Sequence, residues 1–433
     1  MNPILIQNGR VIDPESNRDE VTDILVVGEM IEKIGKIEVE DGMEVIDAKN
    51  LVIIPGVIDL HVHLRDMEQA DKETIESGTL AARKGGVTTV FAMPNTSPTL
   101  DSSVAIERYQ ELTKKAHVET HLIGAITVGL GGQELAALED YTKLGLHQIS
   151  DDGRDVDDEG LLERAYLKAK ELGLLIITHP EMHSIAPEGV INEGKISQQL
   201  GVPGQPNEKE WKAVERGLKL ALKLGVRAHF THVSTKESIE LIRQAKKNSD
   251  LITCDVTPHH FSLTEERVLE VGSLAKVNPP LRAEEDRLAV IEGIKDGTVD
   301  LIATDHAPHR EQDKTEDLKT SAFGISQLET SLASTITELH FKQGIPLIDV
   351  IRLMMLHPAQ LTGLRQGRLK EGHPADLVLV DLMEEKKVDR MKFISKGRNT
   401  PFEGMILRGW PRMTMVRGVF GGLPNPPKEG KIE

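Results

Sequence analysis

Cysteine is nearly absent: Cys254 is the single one in 433 residues. The chain can therefore close no internal disulfide and suits a reducing compartment. Positive charge is also short, with 52 Lys and Arg against 69 Asp and Glu and a formal charge of -17. That deficit argues against a nucleic-acid surface, which needs clustered cations facing phosphates. It also requires any anionic ligand to meet a locally positive pocket inside an acidic protein. No apolar run reaches membrane-spanning length, so no membrane partner is expected. The opening Met1-Asn2-Pro3-Ile4 lacks the charged and apolar regions of a signal peptide, and the expected location is the cytoplasm. There is no low-complexity segment, and no repeat beyond an alternation of strand and helix.

What is present falls into three stretches. Residues 1–56 read as short strands punctuated by Asn8-Gly9, Gly28-Glu29 and Asp41-Gly42 turns. This piece is too small to build a core alone. From 57 to 365 strand and helix patterns alternate. Strands are expected over 57–64, 88–95, 119–126, 147–152, 174–181, 227–235, 251–260 and 301–309. Amphipathic helices are expected between them. One is 211–224, with Trp211, Val214, Leu218, Ala221 and Leu222 on one face; another is 284–297, with Leu288, Ile291 and Ile294. Eight such strands predict an α/β fold with a closed (β/α)8 TIM-type barrel. A doubly wound open sheet is disfavoured, because no Gly-rich phosphate turn follows the first strand. Residues 366–433 return to β patterns, including Ala375–Asp381 and Thr414–Gly418. The two chain ends are therefore expected to form one composite β-sandwich domain beside the barrel. The stretch 424–430, rich in proline, reads as loose.

The strand ends carry the chemistry. His61-Val62-His63 closes the first strand, and side chains two apart on a strand share a side. Later ends bring Asn95, Asp151-Asp152, His179, His232, and Asp305 with His309. In a barrel these ends converge on one mouth. Four imidazoles and two carboxylates supply donors for two divalent ions with a carboxylate between them. Imidazole and carboxylate without thiolate favour Zn²⁺, with one or two ions and two expected. Two ions sharing a water would lower its pKa and polarise a carbonyl, which is machinery for making or hydrolysing an amide or ester.

At this point the chain resembles the amidohydrolase superfamily, and within it the bacterial type I dihydroorotases. The likeness runs through Pro55–Arg65, Ala92–Thr96, Ser150–Gly153, Thr231–Thr235, Val256–His260, Lys276–Arg282, Ala303–His309 and Asn399–Phe402. It implies that His61, His63 and Asp305 hold a first metal, His179 and His232 a second, and that Asp152 bridges them. Asp151 is then a turn residue beside Gly153. The implied reaction is the reversible cyclisation of N-carbamoyl-L-aspartate to L-dihydroorotate, with Asp305 as general acid and base beside a metal-bridged hydroxide. His63, Arg65, Asn95 and His309 are implied to grip the substrate, the last three at its carboxylate. Asn278 and the Phe323-Gly324 backbone are implied to meet its ring.

Two alternatives belong to the same resemblance. Hydantoinases and allantoinases usually bridge their metals with a carbamylated lysine on the fourth strand, and this chain reads Gly145-Leu146-His147-Gln148-Ile149 there. Non-catalytic relatives partner aspartate carbamoyltransferase, but they have lost metal ligands that this chain keeps. Some active relatives also assemble with that enzyme, and a homo-oligomer is a further expected state. Two departures stand out: Asp66-Met67-Glu68 where the family usually has Glu-Pro-Gly, and Pro180 directly after His179. The first alters the loop beside Arg65, and the second limits the backbone beside a ligand. His183, His259, His260 and His306 are expected to be structural hydrogen bonders, and Cys254 a buried inert thiol.

Overall fold

The computed structural model describes residues 2–421; the stretch 424–430 lies outside them. Eight short parallel strands form a barrel. Val57–Val62, Val87–Ala92 and Glu119–Leu122 pair in one sheet. Gln148–Ile149, Leu175–Thr178, Ala228–Phe230, Ile252–Val256 and Leu301–Ile302 pair in another. Parallel bridges Gly124 to Ile149 and Val62 to His306 close the ring. Helices follow each strand on the outside, from Ile75–Lys84 after the first to Ser331–Thr335 after the eighth.

Local chemistry sets these helices. Ile75–Lys84 opens on a capping box between Thr74 and Ser77. Glu159–Leu172 is capped by Asp158 and stopped by Gly173 at φ 70°. Glu208–Leu224 begins earlier than the periodicity suggested, with Glu208 and Glu210 in the first turn where the helix dipole favours anions. Two side chains expected on apolar faces are instead 43% and 46% exposed, Leu222 and Leu288. In the first helix the buried stripe runs through Val214, Gly217, Leu218 and Ala221, and leaves Leu222 past its edge. In Glu284–Lys295 the buried face turns toward Asp286, whose carboxylate accepts hydrogen bonds from Lys236 N and Asn207 Nδ2 at 3.0 Å each.

The chain ends share one eight-stranded mixed sheet. Its order is Val419–Phe420, Ile406–Val416, Leu377–Lys387, Val52–Pro55, Ile4–Asp13, Arg18–Val27 and Met30–Gly35, with Glu44–Asp47 also paired to Ile4–Asp13. Alternation explains its place. Val52, Ile54, Val378 and Val380 join the core shared with the barrel helices. Their neighbours Ile53, Leu377 and Leu379 join a separate cluster on the other face. Both faces are buried, so these strands read as continuous apolar runs. Gly56 sits where sheet meets barrel; a Cβ there would lie 2.0 Å from Thr88 Oγ1.

Candidate metal centre and active site

Strand pairing stops sooner than the sequence pattern suggested, and the chemistry lies just beyond. His61 is on the first strand, whereas His63, Asn95, Asp152, His179, His232 and Asp305 follow the ends of the first, second, fourth, fifth, sixth and eighth. The chain bends sharply there: His232 has φ 42° and Asp305 φ 50°, left-handed values that cost a non-glycine residue about 1–2 kcal/mol each. These turns aim both side chains at a common point.

The donor atoms converge. His61 Nε2 lies 3.1 Å from Asp152 Oδ1 and 3.3 Å from Asp305 Oδ1. His63 Nε2 lies 2.9 Å from Asp305 Oδ1 and 3.4 Å from Asp152 Oδ2. His179 Nδ1 lies 3.4 Å from Asp152 Oδ1 and 2.8 Å from His232 Nε2. Ligand atoms bound to one zinc at about 2.0–2.1 Å stand roughly 3.3 Å apart in a tetrahedron. Two groups therefore have the spacing of a cation site, His61-His63-Asp152 and Asp152-His179-His232, and they share Asp152. Among the described residues His61 Nε2 and Asp152 Oδ1, both turned into the site, are buried without hydrogen-bond partners. Orphaned buried donors of this kind fit a metal.

Electrostatics agree with that fit. Burial opposes charge on every group here, but Asp152 and Asp305 overcome it at His61 and push its pKa up to about 9. Burial would raise Asp305, yet His61 and His63 hold its carboxyl below the usual range. Such a site holds positive charge, which a divalent ion supplies.

The ligands are held from behind. His63 Nδ1 bonds Asn95 Oδ1 at 2.7 Å, which leaves Nε2 for the site. His61 Nδ1 bonds Thr231 Oγ1 at 2.8 Å, and Thr231 donates to Asp255. Asp255 also accepts from His232 N at 2.7 Å. His179 Nε2 bonds Glu181 Oε2 at 2.9 Å, and Lys209 holds Glu181 at 2.7 Å. Pro180 thus separates a ligand from the carboxylate that orients it. Asp151 accepts from Ile126 N and Thr127 N and ties the third strand's end to the fourth. Sequence reasoning missed Glu181, Thr231 and Asp255. The spacing of Glu181 from His179 and the placing of Thr231 before His232 were the available signals.

The other histidines are engaged elsewhere. His260 bonds Thr257 and Pro279 O, His259 bonds Gln327, and His306 Nδ1 accepts from Gln327 N. His183 Nδ1 lies 3.7 Å from Glu181. Cys254 is buried in the seventh strand, and burial raises its thiol pKa.

Above the donors lies a cavity of about 170 Å³ lined by His63, Arg65, Asn95, Asp152, His179, His232, Asn278, Asp305, Phe323 and Gly324, among others. Arg65 is 8% exposed. Among the described residues it forms no ion pair, and its Nε has no partner. Arg65, Asp66 and Met67 all have positive φ. Asp66 supports this turn, accepting from Met67 N at 2.7 Å and Ile75 N at 2.8 Å. A carboxylate thus supplies the local hydrogen bonding that Pro and Gly would otherwise make unnecessary. His309 does not line the cavity itself but is buried beside Gly324, its Nδ1 3.9 Å from Asp313 Oδ2 and without a hydrogen bond among the described residues. Burial first, then Arg65, Lys72 and Lys314, push its pKa down to about 3.

Comparison with known proteins places this geometry in context. Residues 50–238 match a family model described as dihydro-orotase-like. The chain is 42% identical to a dihydroorotase of Bacillus cytotoxicus over 415 residues, 96% of this chain and 97% of the relative. A dihydroorotase of Pelotomaculum thermopropionicum matches at the same identity and coverage. Among solved structures, the L-hydantoinase (dihydropyrimidinase) of Arthrobacter aurescens superposes with a TM-score of 0.87 at 27% identity, covering 97% and 96% of the two chains.

Proposed function

The chain belongs to the dihydroorotase family, and on that premise we propose that it interconverts N-carbamoyl-L-aspartate and L-dihydroorotate with two bound Zn²⁺. The observation that carries this reading is Arg65: a buried cation with no ion pair among the described residues, facing the same cavity as the His and Asp donors. The substrate brings a carboxylate that takes no part in ring closure, and a guanidinium matches it in a bidentate pair.

Arg65, Asn95 and His309 hold that carboxylate. His63 contributes to the same wall, and Asn278 and the Phe323-Gly324 backbone meet the ring. His61, His63 and Asp305 would hold one ion and His179 and His232 the other, with Asp152 between. When bound, the ions supply a water of lowered pKa and a polarised amide carbonyl. Asp305 stays ionised near neutral pH, because neighbouring imidazoles hold its pKa down. It takes the proton of the attacking water during ring opening and delivers it to the departing ring nitrogen. In ring closure it moves the same proton back. Asp152 is shared by both donor groups and would bridge the ions in place of a carbamylated lysine, which favours the dihydroorotase reading. We further propose the cytoplasm as the location, with units bounded at 57 and 365.

The test is turnover of zinc-loaded protein on dihydroorotate, hydantoin and allantoin. Dihydroorotate is expected to react fastest by a wide margin. Faster hydantoin or allantoin opening would overturn the assignment, and no turnover in protein that binds no zinc would place the chain among non-catalytic relatives.

A further inference from the structure

The substrate pocket has one wall that the barrel does not build alone. Asn399 comes from the segment between the strands Leu377–Lys387 and Ile406–Val416, and it is 2% exposed. Its side chain reaches two loops at once. Nδ2 donates to Ala307 O at 3.0 Å and to Gly324 O at 2.9 Å. Oδ1 accepts from His309 N at 3.1 Å and from Ser326 Oγ at 2.8 Å. Its backbone carbonyl accepts from Ser326 N at 2.8 Å. Both amide hydrogens and the side-chain oxygen are used, which is full satisfaction for a buried Asn.

These partners flank the substrate contacts. His309 is on one loop, and Phe323-Gly324 is on the other. Spacing between the loops is tight: a Cβ on Gly324, whose φ is 137°, would lie 2.7 Å from Ala307 O and 3.0 Å from His309 Cδ2. Lys314 Nζ donates to the same Gly324 carbonyl at 3.2 Å. Asn399 is anchored from outside. Glu329 accepts from Ile394 N at 2.9 Å and from Ser395 N at 3.1 Å, and Glu73 accepts from Lys396 N at 3.3 Å.

We infer that Asn399 is a positioning residue: it sets the distance between His309 and the Phe323-Gly324 backbone, so that the C-terminal unit shapes the substrate pocket. This rests on the proposed dihydroorotase reaction. On that reading the contacts it sets grip the carboxylate and the ring, and hold them in the ground state as in the transition state. Their loss weakens ground state and transition state alike, and raises KM more than it lowers kcat.

The test is Asn399→Asp in the full-length, zinc-loaded protein. The substitution keeps both acceptor contacts but turns an oxygen toward the Ala307 and Gly324 carbonyls. KM for dihydroorotate is expected to rise by about tenfold or more, with kcat within about threefold. Bound zinc is expected to stay at the wild-type ratio. An unchanged KM, or a fall in kcat alone, would overturn the inference. If this variant does not fold, Asn399→Ser carries the same test with a smaller expected rise, and failure of both to fold would assign Asn399 to stability alone and overturn it. Wild-type protein without dihydroorotate turnover would count against the reaction instead.

Discussion

Replacing Arg65 by Gln separates binding from stability in opposite directions. Arg65 is 8% exposed, and its guanidinium has no ion pair among the described residues. Its nearest electrostatic support comes from Asp305 and Asp152, while burial works against its charge. Desolvating one ion costs several kcal/mol, and distant carboxylates return part of that. Without substrate, Arg65→Gln is therefore expected to be neutral or stabilising. The left-handed backbone at φ 54° burdens both side chains equally. With substrate, the variant loses a bidentate contact whose charged hydrogen bonds contribute roughly 1.5–3 kcal/mol each. A net loss of about 3 kcal/mol corresponds to a rise in KM of roughly 150-fold. Arg65→Lys keeps the charge but not the fork, and is expected to lose about tenfold. The assay pairs steady-state kinetics on dihydroorotate with thermal melting of substrate-free, zinc-loaded protein. A KM within about threefold of wild type, or a melting point lowered by more than about 4 °C, would refute the reasoning.

Other perturbations test other parts. Asp305→Asn is expected to cut turnover by about 10²–10⁴-fold, and near-normal rates in a folded, fully metallated variant would remove Asp305 from proton transfer. Glu181→Gln is expected to weaken zinc binding at the His179-His232 site by about 10–100-fold, read by titration against a chelator, because it loosens the orientation of His179. Glu119 joins the barrel to the C-terminal unit, with His121 at 3.0 Å and Arg417 at 3.1 Å. The His121 hydrogen bond first, aided by Arg417, lowers its pKa from 4.5 to about 2. A carboxylate depressed on folding stabilises above its unfolded pKa and loses that contribution as pH falls through the folded value. The stability advantage of wild type over Glu119→Gln is thus expected to be full above pH 4.5 and to vanish toward about pH 2. Denaturant titrations across that range that show a constant gap would refute it.

Much of this was legible in the residues. Alternating apolar runs and amphipathic stretches recur eight times, and backbone periodicity is a local property, so barrel strands could be read one by one. The donor types were legible for the same reason, since imidazole and carboxylate carry their metal preference wherever they stand. Exact helix faces were not, because Leu222 and Leu288 satisfy the helical period yet fall past the edge of the neighbouring surface.

By itself, then, the order of residues determined which groups could bind a cation, which elements would form, and that Arg65 sits two places from a ligand. Only the folded chain decided what stands behind each ligand. Glu181 turns back on His179 within one loop, and Thr231 and Asp255 act through hydrogen bonds between strands; no local period encodes a bond angle. Asn399 reaches Ala307 and Gly324 from 92 and 75 residues away. Contacts at that separation depend on how two units dock, and docking is settled by shape and burial over whole surfaces.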